Sequence, residues 1–308
     1  MDAGHTPRDT PASPFPVATR FVMQFGFLGV GALSTPMIRH FLADGHGVTV
    51  WNRTRSKADP LAEHGAKVVD DPADAAEPGG VVMSCLANDA ALRAVFSGGA
   101  VHEKLGDGGV HVGMSTCSPG VTDELATAIG KAGGTYVACP VLGRPDFVEK
   151  RGHRYLLSGD ADARARVKPV LERVSAAVFE LGEEPRAACV GKLCTNILLA
   201  GQVALLGEAF AACEAGGGDA GAMREVWNNT LFPGPVFAGY AKQMLAREFD
   251  PLFALDLMLK DAGLFTDAAT AAGVTAPIAA ATRDRYQDAV DAGLGGKDYT
   301  AIADLPRQ

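Results

Sequence analysis

Lys192 and Asn196 stand four residues apart in Gly191-Lys192-Leu193-Cys194-Thr195-Asn196, with Val190, Leu193, Ile197 and Leu198 around them. On a helix that spacing sets the two polar side chains one turn apart on one face, able to point at one substrate. A lysine in apolar surroundings pays for its charge unless it has a task. Its usual tasks are proton transfer and the neutralising of developing charge. A second cluster is suited to an anion. Gly29-Val30-Gly31-Ala32-Leu33-Ser34 follows the apolar run Arg20 to Leu28 and opens a helical pattern from Leu33 to Asp44.

Strand, glycine turn and helix are the setting in which GxGxx(G/A) cradles a dinucleotide, and a second strand ends at the expected remove of about 20 residues. Gly29 allows the tight turn and Gly31 lets the backbone approach a pyrophosphate. Val30, Ala32 and Leu33 carry the amides of the turn and helix start toward the anion. Ser34 fills the third motif position, where a small residue lets helix and strand pack. At the end of the second strand, where a carboxylate would bind the ribose of NAD, the chain reads Asn52-Arg53-Thr54-Arg55. With no acid to repel a 2′-phosphate, and Arg53 to bind it beside Asn52 and Thr54, NADP(H) is the expected cofactor.

These residues need a scaffold, and the chain writes one. Gly47 to Trp51, Ala66 to Val69, Val81 to Leu86, Val110 to Met114, Thr135 to Ala138, Tyr155 to Ser158 and Val178 to Leu181 read as further strands with helices between them, which predicts a parallel sheet. After Glu183-Glu184-Pro185 strand signals give way to apolar helical periods, broken at 216–218, 233–235, 250–251 and 273–277 into five or six helices. The expected fold is an α/β Rossmann domain with a doubly wound parallel sheet (20–185), then an all-α domain (186–308). Residues 1–19, with Pro7, Pro11, Pro14 and Pro16, read as a disordered leader.

The 308 residues are 47% hydrophobic and 21% charged, a globular composition, with a net charge of −8. That balance, without clustered Lys and Arg, argues against a nucleic-acid surface and for a small-molecule partner. The six cysteines, Cys85, Cys117, Cys139, Cys189, Cys194 and Cys213, form no CxxC pair and no zinc-type cluster. They are expected to be reduced thiols in a cytoplasmic protein that takes no metal. Leu193 to Cys213 is apolar over the length of a membrane span. Because Asn196, Gln202 and Glu208 interrupt it, a helix buried in protein, partly against a second copy in a homodimer, is the expected form rather than a membrane anchor.

Taken in order, GFLGVGALSTPM at the glycine turn, WNRT after the second strand, Met114-Ser115-Thr116-Cys117-Ser118-Pro119, Pro140-Val141-Leu142-Gly143, the Lys192/Asn196 segment and Leu259-Lys260-Asp261 resemble the β-hydroxyacid dehydrogenase family over residues 21 to 300. The resemblance implies the same two-part fold, commonly dimeric, and hydride transfer between a nicotinamide and a small β-hydroxy acid or related alcohol. Lys192 would then be the general acid/base, with Asn196 holding it or the substrate hydroxyl in register. Ser115 and Thr116 would offer hydroxyls and amides to the substrate. Leu86 and Ala87 after the fourth strand, Thr116, and Lys260 near the nicotinamide would complete the cofactor surface.

One segment departs from the family's pattern. Its DxPVSGG reads Ala138-Cys139-Pro140-Val141-Leu142-Gly143-Arg144 here, so Leu142, Gly143 and Arg144 would shape a different substrate pocket. Phe232, Phe237 and Tyr240 follow the Pro-Gly-rich break, where aromatic side chains either close the cleft over a substrate or pack in the core. The departure keeps a second chemistry in view, because imine reductases are similar and share the cofactor domain. Against it, a protonated Lys192 repels an iminium. A non-catalytic NADP(H)-binding module is a third reading, and the retained Lys192 and Asn196 speak against it.

Overall fold

The structure is a computed structural model and describes residues 22–234 and 236–305. The leader expected over residues 1–19 therefore lies outside the described residues, as does the side chain of Phe237. The strands are β1 (Gln24–Leu28), β2 (Gly47–Trp51), β3 (Lys67–Val68), β4 (Val81–Ser84), β5 (Val110–Gly113), β6 (Thr135–Ala138), β7 (Val141–Leu142), β8 (Arg154–Gly159) and β9 (Ala177–Glu180). They form one sheet in the order β3-β2-β1-β4-β5-β6-β8-β7, with β9 paired to β8. Helices α1 (Ser34–Ala43), α2 (Asp89–Phe96), α3 (Ala100–Leu105), α4 (Pro119–Lys131), α5 (Pro145–Glu149) and α6 (Ala161–Val174) connect them.

The first six pairing strands are parallel, as the alternation of strands and helices predicts. The direction then reverses, because β8 runs antiparallel to both β6 and β7. Between β6 and β8 the chain makes only β7 and the short α5, too little for the helical crossover that a parallel return requires. Apolar clusters cover both faces of the sheet: Phe27, Phe41 and Val112 lie in one, Leu28, Phe96 and Leu125 in the other. That accounts for the fully buried runs of β4 and β5. Chain order reverses between β2-β1 and β1-β4, so a crevice opens past the carboxyl ends of β1 and β4.

The second part comprises α7 (Arg186–Ala215), α8 (Ala220–Asn229), a π-helical turn (Val236–Tyr240), α9 (Ala241–Ala246), α10 (Leu255–Ala271), α11 (Pro277–Asp291) and a closing 3-10 turn (Tyr299–Asp304). By length and composition α7 could cross a membrane. Its Ala200, Val203, Leu206 and Phe210 pack instead into the helical core with Met258, Tyr286 and Tyr299. The start of α7 is fixed from the sheet. The Ser158 hydroxyl on β8 donates to the Pro185 carbonyl at 2.8 Å and accepts the Ala188 amide at 2.9 Å. That anchor sits one turn before Lys192 and holds the lysine against the sheet's edge of the crevice.

Candidate active site

A cleft of about 1020 Å³ runs from the glycine turn to the junction of α7 and α10. At one end the turn is tied by its own side chains. Ser34 Oγ accepts the Gly31 amide at 2.8 Å and donates to the Gly29 carbonyl at 2.9 Å. Gly29 has φ of +102°, and a Cβ there would lie 2.3 Å from the Cys85 carbonyl oxygen, so the position demands glycine. At Gly31 a Cβ would meet nothing within 4 Å, which leaves the backbone open to a ligand. The amides of Ala32 and Leu33 find no acceptor among the described residues, and both residues line the same cleft, as at a helix N-terminus able to take an anion.

The end of β2 differs from expectation in one respect. Asn52 Oδ1 accepts the Val30 amide at 2.9 Å and its Nδ2 donates to the Thr54 carbonyl at 2.9 Å. Asn52 therefore shapes the turn with both ends of its amide. Arg55 is engaged as well, by Asp59 at 3.2 Å and Asp70 at 2.5 Å. Arg53 lines the cleft, is exposed, and has no ion pair or side-chain hydrogen bond among the described residues. Thr54 and Lys57 line the wall beside it. Lys57 carries no motif that would single it out; only the 3-10 turn Arg55–Lys57 that follows β2 brings a second cation to the cleft wall that Arg53 lines.

At the other end Lys192, Ser115, Thr116, Lys260, Asp261, Gly143 and Arg144 line the cleft together, though 145 residues separate Thr116 from Asp261. The Lys192 ammonium makes no hydrogen bond within the described residues. Burial pulls it from 10.5 to about 8, with Asp261 opposing the shift and Lys260 adding to it. Lys260 donates to the Thr116 carbonyl at 3.2 Å and pairs with Asp261 at 3.0 Å. Ser115 Oγ accepts the Leu86 amide at 2.8 Å, which leaves its own proton to give. The N-cap of α4 is Ser118, whose Oγ accepts the Val121 amide, so Ser115 is not held by helix capping.

Asn196 is only 5% exposed and lies behind the cleft wall. Its Nδ2 donates to Asp261 Oδ2, so Asn196 orients the carboxylate that faces Lys192. Leu142 and Phe232 are not part of the lining; Phe232 is 45% exposed on the helical part. Tyr240 does not line the cleft either, but its ring lies 5.4 Å from the Arg144 guanidinium. Phe253 and Leu257 form the apolar roof. Their only sequence signal was the Asp250-Pro251 break that precedes α10.

The arrangement fits a nicotinamide dinucleotide. Free amides and an open glycine stand at one end, Leu86 and Ala87 are part of the lining, and Lys192 stands at the far end. Among the described residues no group of three His, Cys, Asp or Glu could hold a metal ion.

Residues 24–182 match the NAD binding domain of 6-phosphogluconate dehydrogenase, and residues 187–305 match the NAD-binding domain of NADP-dependent 3-hydroxyisobutyrate dehydrogenase. An uncharacterized oxidoreductase, YfjR, of Bacillus subtilis is 33% identical over 91% of this chain and 98% of that protein. Glyoxylate/succinic semialdehyde reductase 1 of Arabidopsis thaliana is 30% identical over 91% of this chain and 97% of that protein. The structure of Mycobacterium tuberculosis 3-hydroxyisobutyrate dehydrogenase with L-serine superposes with a TM-score of 0.86 at 25% identity, covering 94% of this chain and 100% of that one. An imine reductase from a Pseudomonas species shares the fold at a TM-score of 0.59 and 23% identity, covering 92% of this chain and 99% of that one.

Proposed function

We propose that this chain, which belongs to the β-hydroxyacid dehydrogenase family, interconverts a small polar aldehyde or ketone and its alcohol with NADP(H), using Lys192 as proton donor and acceptor. It is an oxidoreductase of the nicotinamide-dependent kind that acts on CH–OH groups. The observation that carries the proposal is the Lys192 ammonium, drawn down to about 8 and unbonded in the cleft that begins at the glycine turn.

When bound, the nicotinamide supplies or accepts the hydride. The amides of Ala32 and Leu33, beside the open Gly31, would hold the pyrophosphate, whereas the Val30 amide, expected to face the anion, is taken by Asn52; Arg53 and Thr54 would hold the 2′-phosphate, Leu86 and Ala87 the middle of the cofactor, and Thr116 and Lys260 its nicotinamide end. Reduction builds negative charge on the substrate oxygen, and Lys192 neutralises it and donates the proton. In the opposite direction the same nitrogen takes the alcohol proton, for which an ammonium near 8 is far better matched to neutral pH than one at 10.5. The Ser115 hydroxyl offers a second hydrogen bond to that oxygen. Asn196 and Asp261 keep an acceptor aimed at the ammonium, and Lys260 holds that acceptor from the other side.

The test follows NADPH and NADH oxidation optically with glyoxylate and succinic semialdehyde, the substrates for which the Arabidopsis relative is named, and with cyclic imines. Turnover of aldehydes with NADPH preferred is expected. Turnover of imines alone would overturn the proposal. For cofactor choice, Arg53→Glu is expected to raise KM for NADPH about 10- to 100-fold, the worth of a charge-assisted pair, and to leave KM for NADH nearly unchanged. An equal effect on both cofactors would remove Arg53 from the 2′-phosphate site.

The same proposal includes a homodimer in a reducing compartment such as the cytoplasm. Supporting it, Leu198 and Leu205, seven residues apart on α7, are each 66% exposed and Ile278 at the start of α11 is 80% exposed. All six cysteines are free thiols. Light scattering is expected to give twice the chain mass, and a monomer at micromolar concentration would refute the dimer.

A further inference from the structure

Behind the roof of the cleft two stretches of chain are laced together. The link from α9 to α10 carries Leu252 and Phe253, both part of the cleft lining. The Leu255 amide donates to the Lys297 carbonyl at 2.8 Å, the Asp298 amide to the Phe249 carbonyl at 3.0 Å, and the Tyr299 amide to the Phe253 carbonyl at 3.0 Å. Between the two stretches lies Asp298, fully buried. Its Oδ1 accepts the Thr300 amide at 3.2 Å and the Thr300 hydroxyl at 2.7 Å, while Oδ2 accepts the amides of Leu252 and Phe253, each at 3.2 Å.

A buried carboxylate is costly unless its oxygens are bonded. A cap for the 3-10 turn that begins at Tyr299 needs one oxygen, which a serine would supply as well. The second oxygen serves the roof alone. It satisfies two amides of a link that lies outside helix and strand, where the backbone has no ladder to hold it. The rings extend this support. Phe253 meets Tyr299 edge-on with centroids 5.8 Å apart, and Tyr299 meets Tyr240 edge-on at 5.3 Å. The Tyr240 ring in turn lies 5.4 Å from the Arg144 guanidinium, whose other aromatic neighbour is Phe147 at 5.6 Å. A chain of rings thus runs from the roof, through the buried Tyr299, to a cleft residue of the sheet part.

We propose that Asp298 and Tyr299, neither of which lines the cleft, are positioning residues for the reaction: the carboxylate fixes the backbone of Leu252 and Phe253, the Tyr299 ring fixes the Phe253 ring, and together they set the height of the roof over the substrate. The inference rests on this cleft being the reaction site. Leu252 and Phe253 share the lining with Lys192 and Ser115. A roof released from Asp298 therefore loosens the fit of a small substrate, and it leaves the glycine turn, which Asn52 and Ser34 tie, as it was.

The experiment compares the full-length wild type with Asp298→Ser, Thr300→Val, Tyr299→Leu and Tyr299→Phe. Asp298→Ser keeps a cap for the turn and removes the oxygen that serves the roof. It is expected to raise KM for succinic semialdehyde about 10- to 100-fold, the range of a displacement near 1 Å at a reaction site. The change in kcat should be smaller, and Kd for NADPH, read by its fluorescence, should not change. Hydrogen exchange at the Leu252 and Phe253 amides is expected to quicken about 10- to 100-fold, the loss of a bond to a charged acceptor. Thr300→Val, which removes one bond from the turn side only, should leave both KM and that exchange unchanged. Tyr299→Leu should raise KM, and Tyr299→Phe, which keeps the ring, should restore it.

A lower kcat at unchanged KM, the sign of fewer correctly folded molecules, would overturn the proposal. So would Leu252 and Phe253 amides that exchange in Asp298→Ser as they do in the wild type. A Tyr299→Phe protein as impaired as Tyr299→Leu would overturn the role of the ring. If the wild type reduces no aldehyde, the proposed function falls, while the exchange measurement still decides whether Asp298 holds the roof.

Discussion

Lys192→Met is expected to lower kcat for aldehyde reduction by about 10²- to 10⁴-fold, the usual worth of a general acid placed at the reacting oxygen. Methionine fills nearly the same volume and removes a charge that burial already disfavours, so the folded chain is expected to be at least as stable as the wild type. Binding of NADPH, followed by its fluorescence, should persist, since the glycine turn and Arg53 are untouched. The loss is then one of chemistry and not of cofactor. In the wild type, kcat/KM for reduction should fall as pH rises through about 8, where the ammonium gives up its proton, and the reverse reaction should gain over the same range. Turnover that survives Lys192→Met, with the pH profile intact, would return the chain to a reading in which Lys192 has no part in proton transfer, such as an imine reductase.

The second large effect concerns stability in acid. His102 and His111 are buried with Ser84 in a chain of hydrogen bonds of 2.8 and 3.0 Å, and both rings stack on Phe96. His153 is buried against Tyr155 at 3.0 Å. Burial lowers His102 and His153 from 6.5 to about 4 and takes His111 well below its ordinary value. The fold accepts these rings only when neutral. The unfolded chain takes up their protons near 6.5, whereas the folded chain resists until about 4, so stability is complete above 6.5 and is lost as pH falls through that window. Each of the two rings is worth about 3 kcal/mol over the full window, a large share of the total for an ordinary domain.

Denaturant midpoints at pH 7.5, 6 and 5 should therefore drop steeply. His153→Gln, which can keep the bond to Tyr155, should remove about 1.4 kcal/mol per pH unit from the slope. A slope unchanged by His153→Gln would mean that acid unfolding has another origin.

Much of the site was legible because it is local in sequence. The glycine turn, the cations after β2 and the Lys192 helix each declare themselves within about ten residues, and periodicity alone separates sheet from helices. What stayed hidden is pairing across long separations. Asn196 has the spacing of a substrate ligand, yet its amide is taken by Asp261, 65 residues away. Asn52 had the right place for a 2′-phosphate but is drawn into the turn by the Val30 amide. The reversal at β8 escaped the pattern of strands because a buried strand reads alike in either direction, and only the shortness of the β6 to β8 link betrays it. Arg144 could be flagged as a departure, but its place between two rings, one of them nearly a hundred residues on, required the fold.

Arg53 follows β2, and Arg144 follows β7, at opposite ends of one long cleft. Neither side chain shares a hydrogen-bond partner with the other. Effects of substitutions at such independent sites add, so each trait can drift without dragging the other along. With the roles expected of Arg53 and Arg144, a lineage built on this plan can change the carbonyl compound it consumes while drawing on the same reducing currency, or exchange that currency while serving the same compound.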